Sequence, residues 1–222
     1  HRDLHSFPTR RSSDLAQSTQ CKSNLKQIGL ATFLYADDNQ DRLPYAWWYN
    51  AGADDANVNN FHYLLTPYLM SGKFDAGTLT VNSDFAEGIY PCPIRLREKH
   101  WRNLDVFRPG MPGNPWKISY AMNQFTLLSY PPHVTSPHTA KLGTVPEPTR
   151  TLQAVDVSFE LNHPAVINLG KIGEYWDVGY KHGQKHPEGQ ANIVFMDGHV
   201  SAFTALQTND IILDFKPTAT KP

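Results

Sequence analysis

The sequence has few cysteines: only Cys21 and Cys92 occur in 222 residues. Two are too few for a fold held by several disulfides, and too few for a zinc site built from cysteine alone. One disulfide across a large loop fits an oxidising compartment, whereas two buried free thiols are an equal alternative. Pairing would stabilise the fold by about 3–5 kcal/mol in the chain-entropy estimate. An unchanged thermal midpoint under reductant would count against pairing.

The chain also lacks long apolar runs and blocks of one charge. No segment approaches the roughly 20 apolar residues of a membrane-spanning helix, so the chain as given is expected to be soluble. The net charge is −1 and no Lys/Arg block follows the first residues, which argues against nucleic acid as a partner. No nucleophile elbow, phosphate loop or dinucleotide fingerprint is present. The sequence therefore indicates no enzyme class.

Proline (17) and glycine (14) are spread along the chain, which favours many turns and short strands. Residues 1–15 have no apolar periodicity and resemble a translated sequencing adapter; a disordered basic arm is the alternative, and in either case they are not expected to pack. Residues 16–222 are predicted to form one globular domain. It comprises a helix at about 16–39, a variable loop region at about 45–115, a sheet region at about 117–206 and a tail at 207–222.

Residues 21–44 carry the only long helical pattern. Apolar or small side chains recur with the spacing of one buried face at Cys21, Leu25, Ile28, Thr32 and Tyr35, widened by Leu30, Phe33 and Leu34. The opposite, polar side is predicted to hold Lys22, Ser23, Asn24, Lys26 and Gln27. Asn39 is predicted to close the helix in the left-handed conformation, and Pro44 cannot continue it.

Shorter patterns follow the helix. A short helix is predicted at 61–70, with Tyr63, Leu64 and Tyr68 on one face, and 88–95 is predicted to be an edge strand or extended segment. Strands are predicted within 117–123 and at 151–157.

The clearest strand signal is the Asp197-Gly198 dipeptide between two apolar runs, which predicts a hairpin with a type I′ turn. A two-residue loop would place Met196 opposite His199, Phe195 opposite Val200 and Ile193 opposite Ala202. The apolar face of this hairpin would then hold Ile193, Phe195, Val200 and Ala202 and would lie on the helix.

Four segments together resemble prepilin-type, type II secretion major-pseudopilin-like proteins of the H-x9-DG class. They are residues 21–44, the SYAMN sequence at 119–123, the YPCP sequence at 90–93 and the C-terminal motif at 181–200. The residues on which the resemblance rests are Cys21, Asn24, Leu25, Gly29, Tyr35, Asp38, Asn39, Pro44, Tyr120, Asn123, His182, Asp197 and Gly198.

The family histidine is taken as His182, although fourteen residues separate it from Asp197, because an insertion around 185–189 accounts for the excess. His186 would leave ten residues in between. The family's cleavage motif and apolar half-helix are absent from the sequence, and residues 1–15 stand in their place.

The resemblance implies an α+β, pilin-like fold in which one helix packs on an antiparallel sheet. It implies a non-enzymatic pseudopilin-like structural subunit of a type II secretion or type IV pilus-related assembly. The expected partners are other pseudopilin subunits, a prepilin peptidase acting on the intact precursor, and the inner membrane through an N-terminal helix missing here. The expected location is the cell envelope, with a periplasmic or extracellular globular domain.

Two other functions compete with this one. An extracellular polysaccharide-binding module could stack sugars on Trp47, Trp48 and Tyr49, although adjacent aromatics after a helix more often cover a core. A metal-dependent hydrolase could use His182, His186, Asp197 and His199, but the glycines and proline around the first two disfavour the helix that such a His pair needs.

No cofactor is expected from the residues. Calcium is bound by some members of the wider family, at a site that this sequence does not locate. The Asp37-x-Asn39-x-Asp41 spacing resembles the start of a calcium loop, but Arg42 and Trp48 stand where the loop needs glycine and glutamate. A helix end followed by a solvated loop is the favoured interpretation.

Overall fold

A computed structural model of the chain describes residues 10–46, 61–69, 89–93, 119–123, 139–156, 189–204, 207 and 211–212. Its fold is α+β, as the sequence predicted. The elements are helix α1 (Arg10–Asp38), helix α2 (Phe61–Leu69), strand β1 (Tyr120–Met122), a 3-10 turn (Leu142–Thr144), and strands β2 (Leu152–Asp156), β3 (Gln190–Phe195) and β4 (Val200–Thr204). None of the described helices has both the length and the apolar character needed to cross a membrane.

Helix α1 begins earlier and closes differently from the prediction. It starts at Arg10, so residues 10–15, predicted not to pack, are helical, although the Leu15 side chain is exposed. Asn39 does not take the left-handed conformation; its Nδ2 donates to the Tyr35 carbonyl at 2.7 Å. Gln40 and Asp41 take positive φ instead, 59° and 65°. The chain therefore reverses one residue later than predicted.

The buried face of α1 differs from the predicted stripe at three positions. Asn24, assigned to the polar side, is buried, while Leu30 and Leu34 are 57% and 45% exposed. The reason is geometric, because each residue advances about 100° around the helix. Asn24 lies about 40° from the buried Ile28, whereas Leu30 and Leu34 lie about 160° and 120° from it.

The four strands form one antiparallel sheet in the order β1-β2-β3-β4. Tyr120 of β1 lies opposite Asp156 of β2, and a bulge interrupts the pairing of β2 with β3 between Leu152 and Ala154. The predicted strands at 117–123 and 151–157 are confirmed in place. Residues 89–91, within the predicted edge or extended segment, form bends, and no strand is assigned in residues 89–93.

The hairpin between β3 and β4 is one residue out of the predicted register. Val194 lies opposite Val200 and Ile193 opposite Ser201. The loop has three residues, because Phe195 N donates to the His199 carbonyl and Gly198 N to the Phe195 carbonyl. Gly198 alone in this loop has positive φ, 83°. This is the geometry of a type I turn followed by a left-handed glycine.

The shift reverses the faces of β3, since a one-residue slip turns every side chain over. Val194 and Val200 join the core cluster beneath α1. Val194, rather than the predicted Ile193 and Phe195, therefore carries β3's apolar contact with the helix.

Helix α2 packs on α1 through more than the predicted face. Phe61, Leu65 and Thr66 are buried, while Leu64 and Tyr68 are half-buried. The side chain of Tyr63 lies outside the described residues. Tyr68, on the predicted face, contacts α1 through its ring, which meets Tyr35 with 6.1 Å between ring centres. Phe61 and Leu65, which were not assigned to that face, are the more deeply buried side chains.

Helix α1 approaches the sheet closely at Gly29. A Cβ added at this position would lie 2.9 Å from Val194 Cγ2 and 3.7 Å from Gln153 Oε1. The first distance is shorter than any ordinary carbon contact, so a side chain at 29 would force α1 away from β3. Glycine in a helix interior is otherwise unfavourable by about 0.5–1 kcal/mol relative to alanine.

We predict that Gly29→Ala lowers the free energy of unfolding by about 1 kcal/mol, because an overpacking cost of about 1–3 kcal/mol exceeds the gain in helix propensity. Denaturant unfolding measures the change. The matched control is the Val194→Ala background, which removes the opposing methyl group. There Gly29→Ala is expected to be neutral or stabilising, and an equal loss in both backgrounds would contradict the contact.

Candidate functional site

A buried polar junction joins α1 to the start of β1 and to residues 89–93. We call it the cystine junction and define it by Cys21, Asn24, Cys92, Ser119 and Tyr120, all fully or almost fully buried. Cys21 and Cys92 form a disulfide with a Cα–Cα distance of 5.5 Å across 71 sequence positions. Closing a loop of this length stabilises the folded state by about 4 kcal/mol in the chain-entropy model.

Asn24 is the polar centre of the cystine junction. Its Nδ2 donates to the Pro91 carbonyl and to the Tyr120 hydroxyl, each at 3.3 Å, and its Oδ1 accepts from Gln20 Nε2 at 3.0 Å. Asn24 lies three residues after Cys21, so both side chains project from one side of α1. Helix α1 is therefore attached to residues 89–93 by the Cys21–Cys92 disulfide and by the hydrogen bond from Asn24 Nδ2 to the Pro91 carbonyl.

Residues 89–93 are also hydrogen-bonded to Ser119, just before β1, and to α2. Cys92 N donates to Ser119 Oγ at 2.7 Å, and Ser119 N donates to the Tyr90 carbonyl at 3.0 Å. The Tyr90 hydroxyl donates to the His62 carbonyl in α2 at 2.8 Å. Burial raises the pKa of the Tyr90 hydroxyl, so this donor keeps its proton.

Strand β1 connects the junction to a buried carboxyl group. Burial, reinforced by the negative charge of Asp156, raises the pKa of Tyr120 against the opposing effect of its Asn24 hydrogen bond. Asp156 Oδ2 accepts from Asn192 N at 2.9 Å and from Asn192 Nδ2 at 3.0 Å. Asn123 ends β1 by donating from its Nδ2 to the Leu152 carbonyl at 2.9 Å. These contacts fix β1 between the helix and β2.

A metal site at this junction conflicts with the disulfide. The sulfurs of Cys21 and Cys92 and a carboxyl oxygen of Asp156 lie within 4.8 Å of one another, which would suit a thiolate metal site. The two sulfurs are bonded to each other and offer no thiolate. The junction is therefore a covalent and hydrogen-bonded connection between elements.

The β3–β4 hairpin, whose turn carries the Asp197-Gly198 motif, also contacts α1. Lys26 Nζ donates to the Gly198 carbonyl at 2.7 Å. A Cβ at position 198 would lie 2.8 Å from Phe33 Cε2. Glycine is thus required at 198 twice, by its positive φ and by the phenylalanine ring. The Asp197-Gly198 motif docks the hairpin on the helix.

Asp197 and His199 flank this glycine. Asp197 Oδ1 accepts from His199 N at 3.0 Å and lies 2.6 Å from His199 Nδ1. Burial alone would raise the pKa of Asp197, but the hydrogen bonds and charge of His199 outweigh it and lower that pKa. The imidazole stacks on Phe195 with 4.3 Å between ring centres. This pair braces the turn.

Several predicted site residues lie outside the described residues: His182 and His186 of the metal alternative, and Trp47, Trp48 and Tyr49 of the stacking alternative. The remaining members of the metal group, Asp197 and His199, contact each other. Within the described residues the structure thus places Asp197 beside His199, and the rest of that predicted group stays a prediction.

The residues of the calcium-like spacing lie at the helix end. Asp41 Oδ2 accepts from Gly143 N at 3.2 Å, and the Asn39 amide is bonded to the Tyr35 carbonyl. Asp38 Oδ2 accepts from the Tyr68 hydroxyl at 2.9 Å. These side chains close α1 and dock it to α2 and to the 3-10 turn. Pro44, predicted to follow the helix, is buried just beyond it.

Sequence reasoning missed several residues that build the junction. Ser119 lies within the SYAMN motif but was not singled out, and Asn192 and His62 gave no signal. Asp156 did carry one, since a carboxyl group inside the apolar LQAVD strand needs a partner when buried.

Comparison with known proteins gives one match. Residues 15–85 match the family model described as protein of unknown function (DUF1559). The match spans the described part of α1 from Leu15 and all of α2, and ends before Cys92; it is less than half of the 222-residue chain. No curated protein and no solved structure matches the chain significantly.

We predict that Asn24→Ala lowers the free energy of unfolding by about 1–3 kcal/mol, because it leaves the Pro91 carbonyl and the Tyr120 hydroxyl without this buried donor. Denaturant unfolding of the oxidised protein measures the loss. Gln20→Ala is the matched control, since this exposed side chain contacts the same amide from the solvent side; its effect should stay within about 0.5 kcal/mol. Equal effects would contradict a central role for Asn24.

We predict that stability falls as the pH drops below about 6.5, the ordinary pKa of histidine. Burial lowers the pKa of His62 to about 3, against the raising effect of a backbone hydrogen bond with Tyr120. Between these values the unfolded chain binds a proton that the folded chain does not, so this histidine removes up to about 1.4 kcal/mol per pH unit. His62→Gln should flatten the stability profile between pH 5 and 6.5, and an unchanged slope would contradict the assignment.

Proposed function

We propose that this chain is a non-enzymatic, pseudopilin-like structural subunit of a type II secretion or type IV pilus-related assembly in the cell envelope, with other pseudopilin subunits as partners. The matched family supports the proposal, because it is associated with prepilin-like, H-x9-DG proteins. The mechanism lies in how one helix is presented, without a chemical step.

The observation that carries the proposal is the two-sided nature of α1. One side packs on β3 through Gly29 and Val194 and is tied to residues 89–93 by the disulfide. The other side exposes Leu30 and Leu34, one helical turn apart. A helix fixed on a sheet with leucines outward suits a subunit that packs helix to helix with its neighbours.

The chemistry of the described residues also favours a structural role. The polar groups of the cystine junction bind one another or the backbone, and the Asp197–His199 pair braces a turn. Strongly shifted pKa values accompany catalytic sites when the group lies in a cleft. Here the shifted groups Tyr90, Tyr120 and His62 are enclosed in the core, where burial itself explains each shift.

The polysaccharide-binding alternative rests on Trp47, Trp48 and Tyr49, and a glycan array separates it from the structural role. Alanine substitution at these positions that removes glycan binding without unfolding the protein would favour the alternative.

We predict that Leu30→Gln combined with Leu34→Gln in the intact precursor abolishes incorporation into the assembly. Glutamine keeps helix propensity and both side chains are solvent-exposed in the free subunit, so the free energy of unfolding should change by less than about 0.5 kcal/mol. Crosslinking of subunits in cells measures incorporation. Gln27→Ala on the exposed side of the same helix is the control.

Retained crosslinking in the double variant would place the subunit contact elsewhere on the molecule. Normal secretion and unchanged filament composition after deletion of the gene would contradict the proposed function itself.

A further inference from the structure

The disulfide is placed where no reactant can reach it. Cys21 lies in α1 and Cys92 in residues 89–93. Both side chains are completely buried, in the core cluster that also contains Leu25, Tyr90 and Tyr120. Thiol–disulfide exchange requires a thiolate to attack a sulfur in line. In the folded protein that attack has no path, either to form the bond or to break it.

Residues 89–93, which carry Cys92, are held by contacts other than the disulfide. The Tyr90 carbonyl, the Pro91 carbonyl and the Cys92 amide are each hydrogen-bonded, to Ser119 N, Asn24 Nδ2 and Ser119 Oγ. Three consecutive residues are therefore fixed by α1 and by the residue before β1. Exposing the sulfurs means detaching this segment and breaking those three bonds.

The surroundings would also make unpaired cysteines unreactive once enclosed. Complete burial disfavours the thiolate, which is the reactive form. The carboxyl group of Asp156, within 4.8 Å of both sulfurs, adds no positive charge to counter this. A chain that folded with both thiols reduced would hold them buried and inaccessible to an oxidant.

We propose that Cys21 and Cys92 are the sites of an oxidation that precedes docking of residues 89–93, carried out by exchange with an external disulfide, and that docking then seals the bond. One cysteine thiolate attacks the donor disulfide, forming a mixed disulfide and releasing a donor thiolate. The second cysteine thiolate attacks that mixed disulfide, giving the Cys21–Cys92 bond and releasing a second donor thiolate. Two electrons pass to the donor, and the two protons lost by the cysteines are balanced by protonation of the two donor thiolates.

The partner implied is a disulfide donor, either a protein oxidant in its disulfide form or a small-molecule disulfide. The donor must meet the chain while it is still open, in a compartment that keeps disulfides oxidised. This inference does not depend on a role in a filament or secretion assembly. It follows from burial and from the polar contacts around residues 89–93.

The first experiment measures reduction of the full-length oxidised chain by dithiothreitol, with quenched maleimide labelling and mass spectrometry. In native buffer the disulfide should be reduced at least about 100-fold more slowly than in denaturant, because reduction waits for opening of the fold. Equal rates in the two conditions would overturn the sealing step.

Two variants test whether the hydrogen bonds of residues 89–93 slow reduction of the disulfide. Asn24→Ala removes the bond to the Pro91 carbonyl and should speed native reduction by about tenfold, while leaving the rate in denaturant unchanged; tenfold corresponds to about 1.4 kcal/mol. Gln20→Ala should leave both rates unchanged. A native rate that is unaffected by Asn24→Ala would contradict protection by the docked segment.

The second experiment tests the order of events in cells. The full chain is produced with and without an export signal, and thiols are trapped by acid quenching before lysis. The exported chain should carry the disulfide and the retained chain two alkylated cysteines. Free thiols in the exported chain, or equal oxidation in both, would overturn the proposal.

Discussion

The contact on which the rest of the structure depends is the close approach of α1 to β3 at Gly29 and Val194. The missing Cβ lets the helix lie nearer the sheet than any other residue would allow. The distance between α1 and β3 at Gly29 also affects neighbouring contacts of α1. Asn24, before Gly29 in the helix, contacts Pro91 and Tyr120. Lys26 and Phe33, on either side of Gly29 in the sequence, contact Gly198. A displaced helix would loosen all of them together.

Buried polar groups then give this packing a single arrangement. An apolar stripe alone allows a helix to slide or rotate on a sheet, since hydrophobic contact is non-directional. Asn24 prevents that motion, because its amide must meet the Pro91 carbonyl and the Tyr120 hydroxyl at once. An unsatisfied amide in this position would cost about 1–3 kcal/mol. The disulfide adds a covalent bond between two of the same elements, α1 and residues 89–93.

The sequence predicted what periodicity and turn residues determine: α1, the strands at 117–123 and 151–157, and a hairpin at the Asp197-Gly198 dipeptide. It did not predict the hairpin register, because type I′ and three-residue loops share the same dipeptide. Contact with Phe33 and Lys26, distant in sequence, accompanies the three-residue form. Asn24 was misplaced for a similar reason, since its partners lie 67 and 96 positions away and no local pattern reveals them.

The candidate site was less predictable than the fold. Cys21 and Cys92 could be named from their number alone, but their pairing required the distance between α1 and residues 89–93. Ser119 belongs to the junction through its contacts with Tyr90 and Cys92. Asp156 lies beside the junction near the two sulfurs, and His62 contacts Tyr90 through its backbone carbonyl. Such contacts depend on tertiary structure, so the local sequence around each residue does not predict them.

The disulfide also changes what a cut in the chain would do. The bond joins residues 71 positions apart, and the loop between them includes all of α2 and the aromatic residues at 47–49. A protease that cleaves one peptide bond anywhere inside this closed ring leaves the two pieces covalently joined. The nicked protein would run as a single species until reduced, and the ring could lose or gain loop residues while α1 and residues 89–93 remain attached.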